Sequence, residues 1–300
     1  MTAKIINGTE IAENIKNYVK EKVSDFEKTY NKKPGLAVIM VGSNQASKVY
    51  VGIKQKTAKE AGINSMQFNL PKETNHKELI ELIKKLNEDE KVHGILIQLP
   101  LPEQLDEQRI LEKIKFRKDV DGFHSRNMGK LVFGRKEIVP CTPKGIIKLI
   151  ESTGQEIEGK HAVVVGRSNI VGKPIAMLLL EKNATVTICH SKTKDLKKHT
   201  KDADILVVAA GKPKLITKDM VKKDAIVIDV GINRTDDGTE KGKLVGDVDF
   251  DSVKEVAGFI SPVPGGVGPM TVASLLLNTF YAARHAEEKK EKSKEEKNEN

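Results

Sequence analysis

The stretch HAVVVGRSNIVGKP, residues 161–174, decides the fold of the second half of the chain. An apolar, β-branched run leads into a glycine loop, and an apolar helical pattern covers 172–182. Gly166 can make the tight turn, and Gly172 allows close backbone approach where the helix begins. Exposed amides and the helix dipole at that point can hold a phosphate. The spacing G-x-S-x-x-x-G differs from the usual G-x-G-x-x-G, so an ordinary strand–turn–helix corner remains the alternative.

The same alternation of strand and helix runs along the whole chain. Short apolar runs predict strands at 36–42, 65–70, 94–99, 161–166, 184–189, 204–210 and 225–231. Helical periodicity predicts helices at 9–30, 44–61, 76–90, 172–182 and 271–287. Glycine follows the strand at Gly166, Gly211 and Gly231, as expected where a ligand approaches a doubly wound sheet. The pattern therefore predicts an α/β fold with parallel sheets, and the length of 300 residues favours two domains.

Composition narrows the class of protein. The chain is 38% hydrophobic and 31% charged, which is typical of a globular protein. It has no apolar run of about 18 residues and no apolar signal core, so we expect a cytoplasmic protein that does not enter a membrane. The net charge is +9, but the basic residues are scattered and aromatics are few, which argues against nucleic acid. Cys141 and Cys189 have no metal-ligand spacing, so we expect two buried cysteines and no metal site.

The residues after the second strand of the glycine-loop region favour NADP over NAD. An NAD site usually carries an acid there, to accept from the ribose 2′-hydroxyl. This strand instead ends in Cys189-His-Ser191-Lys, and the first acid is Asp195. Arg167 lies in the glycine loop, and a cation with a hydroxyl suits a 2′-phosphate. The alternatives are a solvated loop cation for Arg167 and a turn residue for Ser191.

A possible chemical site lies in the first half of the chain. In SKVYVGIK (47–54), Ser47, Tyr50 and Lys54 fall on one helix face. The tyrosine could stack on a ring and the lysine could transfer a proton. A common exposed amphipathic helix is the alternative.

Polar residues in three further segments could face the same ligand. Gln98 follows the buried run GILI and precedes LPLP, whose prolines could fix an unusual turn through a cis bond. Asp121 in KDVDGF could accept from a ligand's N–H groups, or simply form a turn before glycine; Asp119 has a weaker case. The run PVPGGVGPMT (262–271) suits close approach to a flat ring or an anion, although it could also be a linker.

These motifs, in this order, resemble one known family. SKVYVGIK, GILIQLPLP, KDVDGF, PCTPKG, GRSNIVGKP, AAGKP, DVGIN and PVPGGVGPMT are similar to successive signatures of the bifunctional methylenetetrahydrofolate dehydrogenase/cyclohydrolases. The resemblance covers about residues 1–285 and departs at Ser261, where the family often has threonine. It implies two domains around a cleft and a homodimer.

The resemblance also implies the domain boundaries. Residues 1–120 and 270–287 would form the catalytic, folate-binding domain, and 121–269 a Rossmann-like, doubly wound NADP domain. The last residues, 288–300, are almost all charged, so we expect a frayed or disordered tail.

Site residues carry over position by position. Lys54 resembles the catalytic lysine, Tyr50 the residue that stacks on the folate, and Gln98 and Asp121 the partners that tune the lysine and hold the pterin. The positions that match cofactor contacts are Gly166, Arg167, Ser168, Gly172, Ser191 and Ile232. A folate-contacting loop would comprise Pro264, Gly265, Gly266, Val267 and Gly268.

The implied activity has two steps. Methylenetetrahydrofolate is oxidised with NADP to methenyltetrahydrofolate, which is then hydrolysed to 10-formyltetrahydrofolate. The second step needs proton shuttling, and Lys54 is the candidate. The alternatives are a dehydrogenase without the hydrolytic step and a non-catalytic module that binds NADP; Lys54 argues against the first, and the Tyr50–Lys54 pair against the second.

Overall fold

The computed structural model describes residues 2–235 and 242–298. Its strands are β1 (Lys4–Ile5), β2 (Gly35–Val41), β3 (Asn64–Leu70), β4 (Gly94–Ile97), β5 (His161–Val165), β6 (Thr185–Cys189), β7 (Ile205–Val208), β8 (Ile226–Asp229), β9 (Asn233–Thr235), β10 (Lys243–Val245) and β11 (Phe259–Ile260). Its helices are α1 (Gly8–Tyr30), α2 (Gln45–Glu60), α3 (His76–Glu88), α4 (Glu107–Leu111), α5 (Ser125–Val132), α6 (Cys141–Glu151), α7 (Gly172–Glu181), α8 (Leu196–Thr200), α9 (Phe250–Val253) and α10 (Val267–Asn298), with a short 3₁₀ turn at Lys218–Met220. No helix within the described ranges is long and apolar enough to cross a membrane.

The chain divides into two compact units. The six-strand unit comprises Met1–Glu13 and Thr142–Thr271, and the three-strand unit comprises Asn14–Cys141 and Val272–Asn300. This division differs from the predicted boundaries at both ends of the first segment. The amino terminus joins the six-strand unit because β1 pairs with β11. Residues 121–141 join the three-strand unit, where the Asn278 side chain donates to the carbonyls of Val120 and Val139, both over 2.9 Å.

The six-strand unit is built on a parallel sheet. Its strand order is β1-β11-β8-β7-β5-β6, and every neighbouring pair is parallel. The chain leaves the central β5 for β6 on one side and then returns to β7 on the other, so the topological switch point lies between β5 and β7. Ligands of doubly wound sheets bind at the carboxyl ends of strands beside such a point. The predicted α/β class and the parallel, Rossmann-like sheet are confirmed.

The three-strand unit is built on the parallel sheet β3-β2-β4, with β2 in the centre. All seven residues of β2 are buried, and they alternate between two cores. One core packs Leu36, Val38 and Met40 against apolar residues of α1 and α10. The other packs Ala37, Ile39 and Val41 against α3 and the segment after β4. Because both faces are covered, the strand is apolar throughout, and this made it easy to predict.

The charged carboxyl-terminal segment is helical as far as residue 298, so of the two predicted alternatives, a frayed helix end or disorder, disorder is wrong for residues 288–298. Side-chain contacts link it to the rest of its unit. Lys290 donates to Glu90 over 3.1 Å and to Glu287 over 3.0 Å, and Tyr30 donates to Glu291 over 3.4 Å. Composition does not reveal such tertiary partners. Residues 299–300 lie outside the described part of the chain.

Candidate active site

The amino-terminal cap of α2 sets which of its side chains face inward. The Asn44 side chain accepts from the Ser47 backbone N–H over 3.0 Å, as an N-cap residue does. From that start, Ser47 and Lys54 are buried, and Tyr50 is half-buried. Lys54 is only 8% exposed, so the alternative of an exposed amphipathic helix does not hold for its face. Lysine is seldom so buried without a partner.

The partner of Lys54 is Gln98. Its backbone N–H donates to the Ile39 carbonyl over 2.9 Å, which continues the pairing of β4 with β2 by one residue. The Lys54 Nζ atom donates to Gln98 Oε1 over 3.0 Å, and Gln98 Nε2 donates to the Leu99 carbonyl over 2.7 Å. The Leu99–Pro100 bond is cis, as the LPLP run predicted. Both ends of the Gln98 amide are therefore engaged, and its oxygen is directed at the lysine.

Asp121 completes the group in this unit. Burial raises the pKa of its carboxyl, while the positive charge of Lys54 and a hydrogen bond from Cys141 lower that pKa; burial is the largest effect. The following Gly122 has φ +80°, and an added Cβ would lie 2.7 Å from the Pro140 nitrogen. The glycine therefore allows a turn so tight that no side chain fits, and this turn presents Asp121 beside Lys54.

Asp119, the weaker candidate, is structural. It is 1% exposed and accepts from the Gly122 N–H (3.1 Å), the His124 N–H (2.8 Å) and Asn127 Nδ2 (2.9 Å). Burial raises the pKa of its carboxyl. Its oxygens hold the turn that carries Asp121, which is the role of a turn-forming aspartate.

Two residues behind Asp121 were not identified as site residues from the sequence. The Cys141 thiol lies 3.2 Å from the Val120 carbonyl oxygen. It also forms a hydrogen bond with the Asp121 carboxyl. Asn278 Nδ2 lies 3.5 Å from the Cys141 sulfur and also donates to the carbonyls of Val120 and Val139. The signal in the sequence was an asparagine inside the apolar run SLLLNTF of a buried helix. Both cysteines are buried, as predicted.

The glycine loop of the six-strand unit packs so closely against neighbouring backbone that neither Gly166 nor Gly172 could carry a side chain. Gly166 has φ +131°, and an added Cβ would lie 2.1 Å from the Ala209 carbonyl oxygen. At Gly172 an added Cβ would lie 2.3 Å from the Gly166 oxygen. Ser168 Oγ accepts from the Val171 and Gly172 N–H groups over 3.2 and 3.3 Å. The loop therefore brings its backbone against the start of α7, the geometry that suits a phosphate.

Arg167 and Ser191 follow adjacent strands. The Gly166 N–H donates to the Cys189 carbonyl over 2.8 Å, which joins the carboxyl ends of β5 and β6. Both candidate side chains are exposed there. Asp195, the first acid after β6, caps α8 by accepting from the Lys198 N–H over 3.3 Å. The carboxyl ends of β5 and β6 are therefore followed by the Arg167 cation and the Ser191 hydroxyl, and not by an acid.

The remaining predicted contacts also lie in the six-strand unit. Ile232 follows β8 and is 49% exposed, which is unusual for an isoleucine beside a buried strand. Pro264, Gly265 and Gly266 lie in the loop before α10, whereas Val267 and Gly268 already belong to its first turn. The Val263–Pro264 bond is cis, and the Gly265 carbonyl accepts from the Thr9 N–H over 3.0 Å.

Known proteins resemble the chain over nearly all of its length. Residues 6–121 match the family model described as tetrahydrofolate dehydrogenase/cyclohydrolase, catalytic domain, and residues 140–287 match that of the NAD(P)-binding domain of the same family. The bifunctional protein FolD of Listeria innocua is 56% identical over 94% of this chain and 97% of its own length.

Solved structures agree with this match. The bifunctional FolD methylenetetrahydrofolate dehydrogenase/cyclohydrolase from Campylobacter jejuni is 48% identical with a TM-score of 0.91, and the match covers 95% of this chain and 99% of that one. The Trypanosoma brucei methylenetetrahydrofolate dehydrogenase-cyclohydrolase, crystallised with NADP and an inhibitor, is 39% identical with a TM-score of 0.93 at the same coverage.

Proposed function

The chain belongs to the tetrahydrofolate dehydrogenase/cyclohydrolase family, and from that premise we propose the two reactions and the roles of its residues. The family membership confirms the resemblance stated on the motifs, and with it a bifunctional folate enzyme with an NAD(P)-binding domain. The first reaction oxidises 5,10-methylenetetrahydrofolate to 5,10-methenyltetrahydrofolate. The second hydrolyses that product to 10-formyltetrahydrofolate.

The cofactor is NADP. Supporting a dinucleotide at this place, Gly166 and Gly172 let the loop backbone pack directly against the Ala209 carbonyl and the start of α7, and the positive end of that helix suits a phosphate. Arg167 and Ser191 are exposed at the adjoining strand ends, where they would hold the 2′-phosphate. Ser168 shapes the loop, and Ile232 would pack on the nicotinamide side. When bound, NADP supplies the hydride acceptor, and the protein supplies position.

Lys54 moves the protons of the hydrolytic step. Water adds to the methenyl carbon and loses one proton, which leaves a hydroxyl on that carbon. The bond from this carbon to N5 then breaks: N5 gains a proton, the hydroxyl loses its proton to become the formyl carbonyl, and one proton is released overall. The observation that carries this role is the 3.0 Å hydrogen bond from Nζ of the buried Lys54 to Gln98, beside the Asp121 carboxyl. Gln98 orients the amine, Asp121 accepts from the pterin N–H groups, and Tyr50 stacks on the folate ring.

The loop Pro264–Gly268 would contact the folate through its backbone. The positive φ of Gly265 supports this, because glycine adopts that conformation readily and has no side chain to keep a ligand away from the backbone. A homodimer, which the family resemblance implies, and a cytoplasmic location are part of the same proposal. Analytical ultracentrifugation of the purified chain would give twice the monomer mass if the dimer is correct.

Two assays on the wild-type chain test the proposal. The first follows nicotinamide reduction with methylenetetrahydrofolate and either NADP or NAD, and we expect faster reduction of NADP. The second follows loss of the methenyltetrahydrofolate absorbance without any cofactor. A chain that reduces NADP but leaves methenyltetrahydrofolate untouched would be a monofunctional dehydrogenase, and one that binds NADP without reducing it would be a binding module.

A further inference from the structure

A buried carboxylate links two loops beside the switch point of the six-strand sheet. Asp247 is completely buried, and its side chain accepts four hydrogen bonds. One oxygen accepts from the Ala210 and Gly211 N–H groups over 2.6 and 2.8 Å. The other accepts from the Lys212 N–H over 2.8 Å and from Asn233 Nδ2 over 2.9 Å. Four donors saturate a carboxylate, and all four are neutral.

The first of these loops follows β7 and packs against Gly166 of the glycine loop. The Ala209 N–H donates to the Val165 carbonyl over 2.7 Å, and the Ala209 carbonyl fills the space that a Cβ at Gly166 would need. Asp247 accepts from the next three backbone N–H groups, those of residues 210–212. It therefore holds the loop backbone against which Gly166 packs.

The second loop follows β8 and carries Ile232. Asn233 is the next residue, and its side chain is held by Asp247. At Gly231, an added Cβ would lie 2.2 Å from Asp247 Oδ1, so the loop backbone passes directly over the carboxylate. Ile232 is thus flanked on both sides by residues that contact Asp247.

A second carboxylate holds the first. Asp229, at the end of β8, accepts from the N–H groups of Gly231 (3.0 Å), Asp247 (2.9 Å) and Val248 (3.0 Å). It is 3% exposed, and burial raises its pKa to about 7. Within residues 2–235 and 242–298 neither acid has a salt bridge, so burying the two carboxylates side by side is costly. The backbone N–H groups that they hold indicate that the pair fixes the geometry of the loops.

The strand order of the sheet indicates which part of a bound dinucleotide would lie against the loops after β7 and β8. The phosphates belong at the start of α7, and the proposed 2′-phosphate contacts follow β5 and β6. The other half of the dinucleotide must then lie across the switch point, over the ends of β7 and β8. The two loops that Asp247 joins are the ones at those strand ends.

We infer that Asp247 is a positioning residue for the nicotinamide half of the cofactor, acting through the loop 210–212 and through Asn233. The inference rests on the proposed function. It predicts that Asp247 matters for hydride transfer and not for the hydrolytic step, because the proposed proton-transfer residue Lys54 and its neighbours Gln98 and Asp121 lie in the three-strand unit.

Asp247→Asn is the principal test variant, because it keeps the shape but turns an NH₂ group toward two of the four donors, at least one of them a backbone N–H. We expect kcat/KM for NADP in the dehydrogenase assay to fall by about 10- to 100-fold, as for a small misplacement of a reactant. Hydrolysis of methenyltetrahydrofolate should stay within about twofold of wild type. Asp251→Asn, an exposed surface change nearby, is the control and should alter neither rate.

Two measurements do not depend on turnover. In the cofactor-free chain, amide hydrogen exchange at 210–212 should be faster in Asp247→Asn, while β5 keeps its protection. Adenosine 2′,5′-bisphosphate, which lacks the nicotinamide half, should bind Asp247→Asn and wild type equally. If Asp247→Asn does not fold, Asn233→Ala replaces it; this change removes only the link to the second loop and should give the same selective loss of dehydrogenase activity, smaller in size.

A folded variant with wild-type kcat/KM for NADP, or one that loses both reactions in equal proportion, would overturn the inference. Equal weakening of NADP and of adenosine 2′,5′-bisphosphate would do so as well, because it would place the effect on the adenosine side. Failure of the proposed function is a separate result: the wild-type chain itself would then not reduce NADP.

Discussion

Lys54 Nζ donates to Gln98 Oε1 over 3.0 Å inside the three-strand unit, where the lysine is only 8% exposed. The Gln98 amide cannot turn freely, since its nitrogen donates to the Leu99 carbonyl over 2.7 Å. The lysine amine is therefore held by a neutral acceptor of fixed orientation. The Gln98 oxygen can accept from either an ammonium or a neutral amine, so the amine would keep this orientation through the proton transfer that we propose.

Replacing Gln98 by alanine should release the amine. We expect the methenyltetrahydrofolate hydrolysis rate to fall by about 10- to 100-fold, within the range for a misplaced proton-transfer group. The dehydrogenase rate should fall less, because hydride transfer needs no proton shuttle. Steady-state kinetics of both reactions measure this, with Gln108→Ala, an exposed glutamine of the same unit, as the control. Equal loss of both rates would argue for a purely structural role of Gln98.

Asp121 should make folate binding weaker at acidic pH. Burial raises the pKa of this carboxyl above its ordinary value of 3.8, so the carboxylate becomes protonated as pH falls through a value higher than that of a free aspartate. If the carboxylate accepts from the ligand, KM for the folate should rise as pH decreases through that pKa. Asp121→Asn should have a high KM that no longer changes over the same range. A pH series of KM for both proteins decides, and identical slopes would exclude Asp121 as the titrating group.

His93 should make stability depend on pH. It is 4% exposed, Nδ1 accepts from the Gly35 N–H over 2.9 Å, and burial lowers its pKa from 6.5 to about 4. The unfolded chain therefore takes up this proton at higher pH than the folded one. Stability from the neutral ring is complete above 6.5 and is lost as pH falls toward 4, by about 3 kcal/mol.

Urea unfolding of wild type and His93→Asn at several pH values measures this contribution. Asparagine can still accept from Gly35 but does not titrate, so the difference in free energy of unfolding between the two proteins should change across that window. His285→Asn is the control, because its side chain is 55% exposed. A constant difference between pH 7 and pH 4 would show that His93 does not titrate as described.

Arg167→Ala should change the choice of cofactor. Loss of a charge-assisted contact to the 2′-phosphate should lower kcat/KM for NADP by about tenfold or more and leave the value for NAD nearly unchanged. Lys182→Ala, which removes a cation paired with Glu151 in the same unit, should not alter the ratio. An unchanged preference for NADP in Arg167→Ala would remove this residue from the 2′-phosphate role.

Elements with a strong local signal could be predicted from the sequence. The buried strand β2 reads as a continuous apolar run, and α2 was predicted to within about a residue at each end. Lys54, Gln98 and Asp121 come from separate segments, and the motifs rather than the periodicity connected them; the structure places them in one unit.

What the sequence could not supply depends on distant partners. Strand β1 is two residues long, and only its pairing with β11 makes it a strand. In the tail, Lys290 meets Glu90 and Glu291 meets Tyr30, which are far away in the sequence. Asp229 and Asp247 look like ordinary acids beside glycines, because their partners are backbone amides that fold toward them from other loops.

Lys54→Met provides the most direct measurement, since methionine fills a similar space without a group that can transfer a proton. We expect hydrolysis of methenyltetrahydrofolate to fall by at least about 100-fold, while nicotinamide reduction with methylenetetrahydrofolate continues at a measurable rate. If the variant is folded and hydrolyses methenyltetrahydrofolate at the wild-type rate, Lys54 is not the proton-transfer residue of this site.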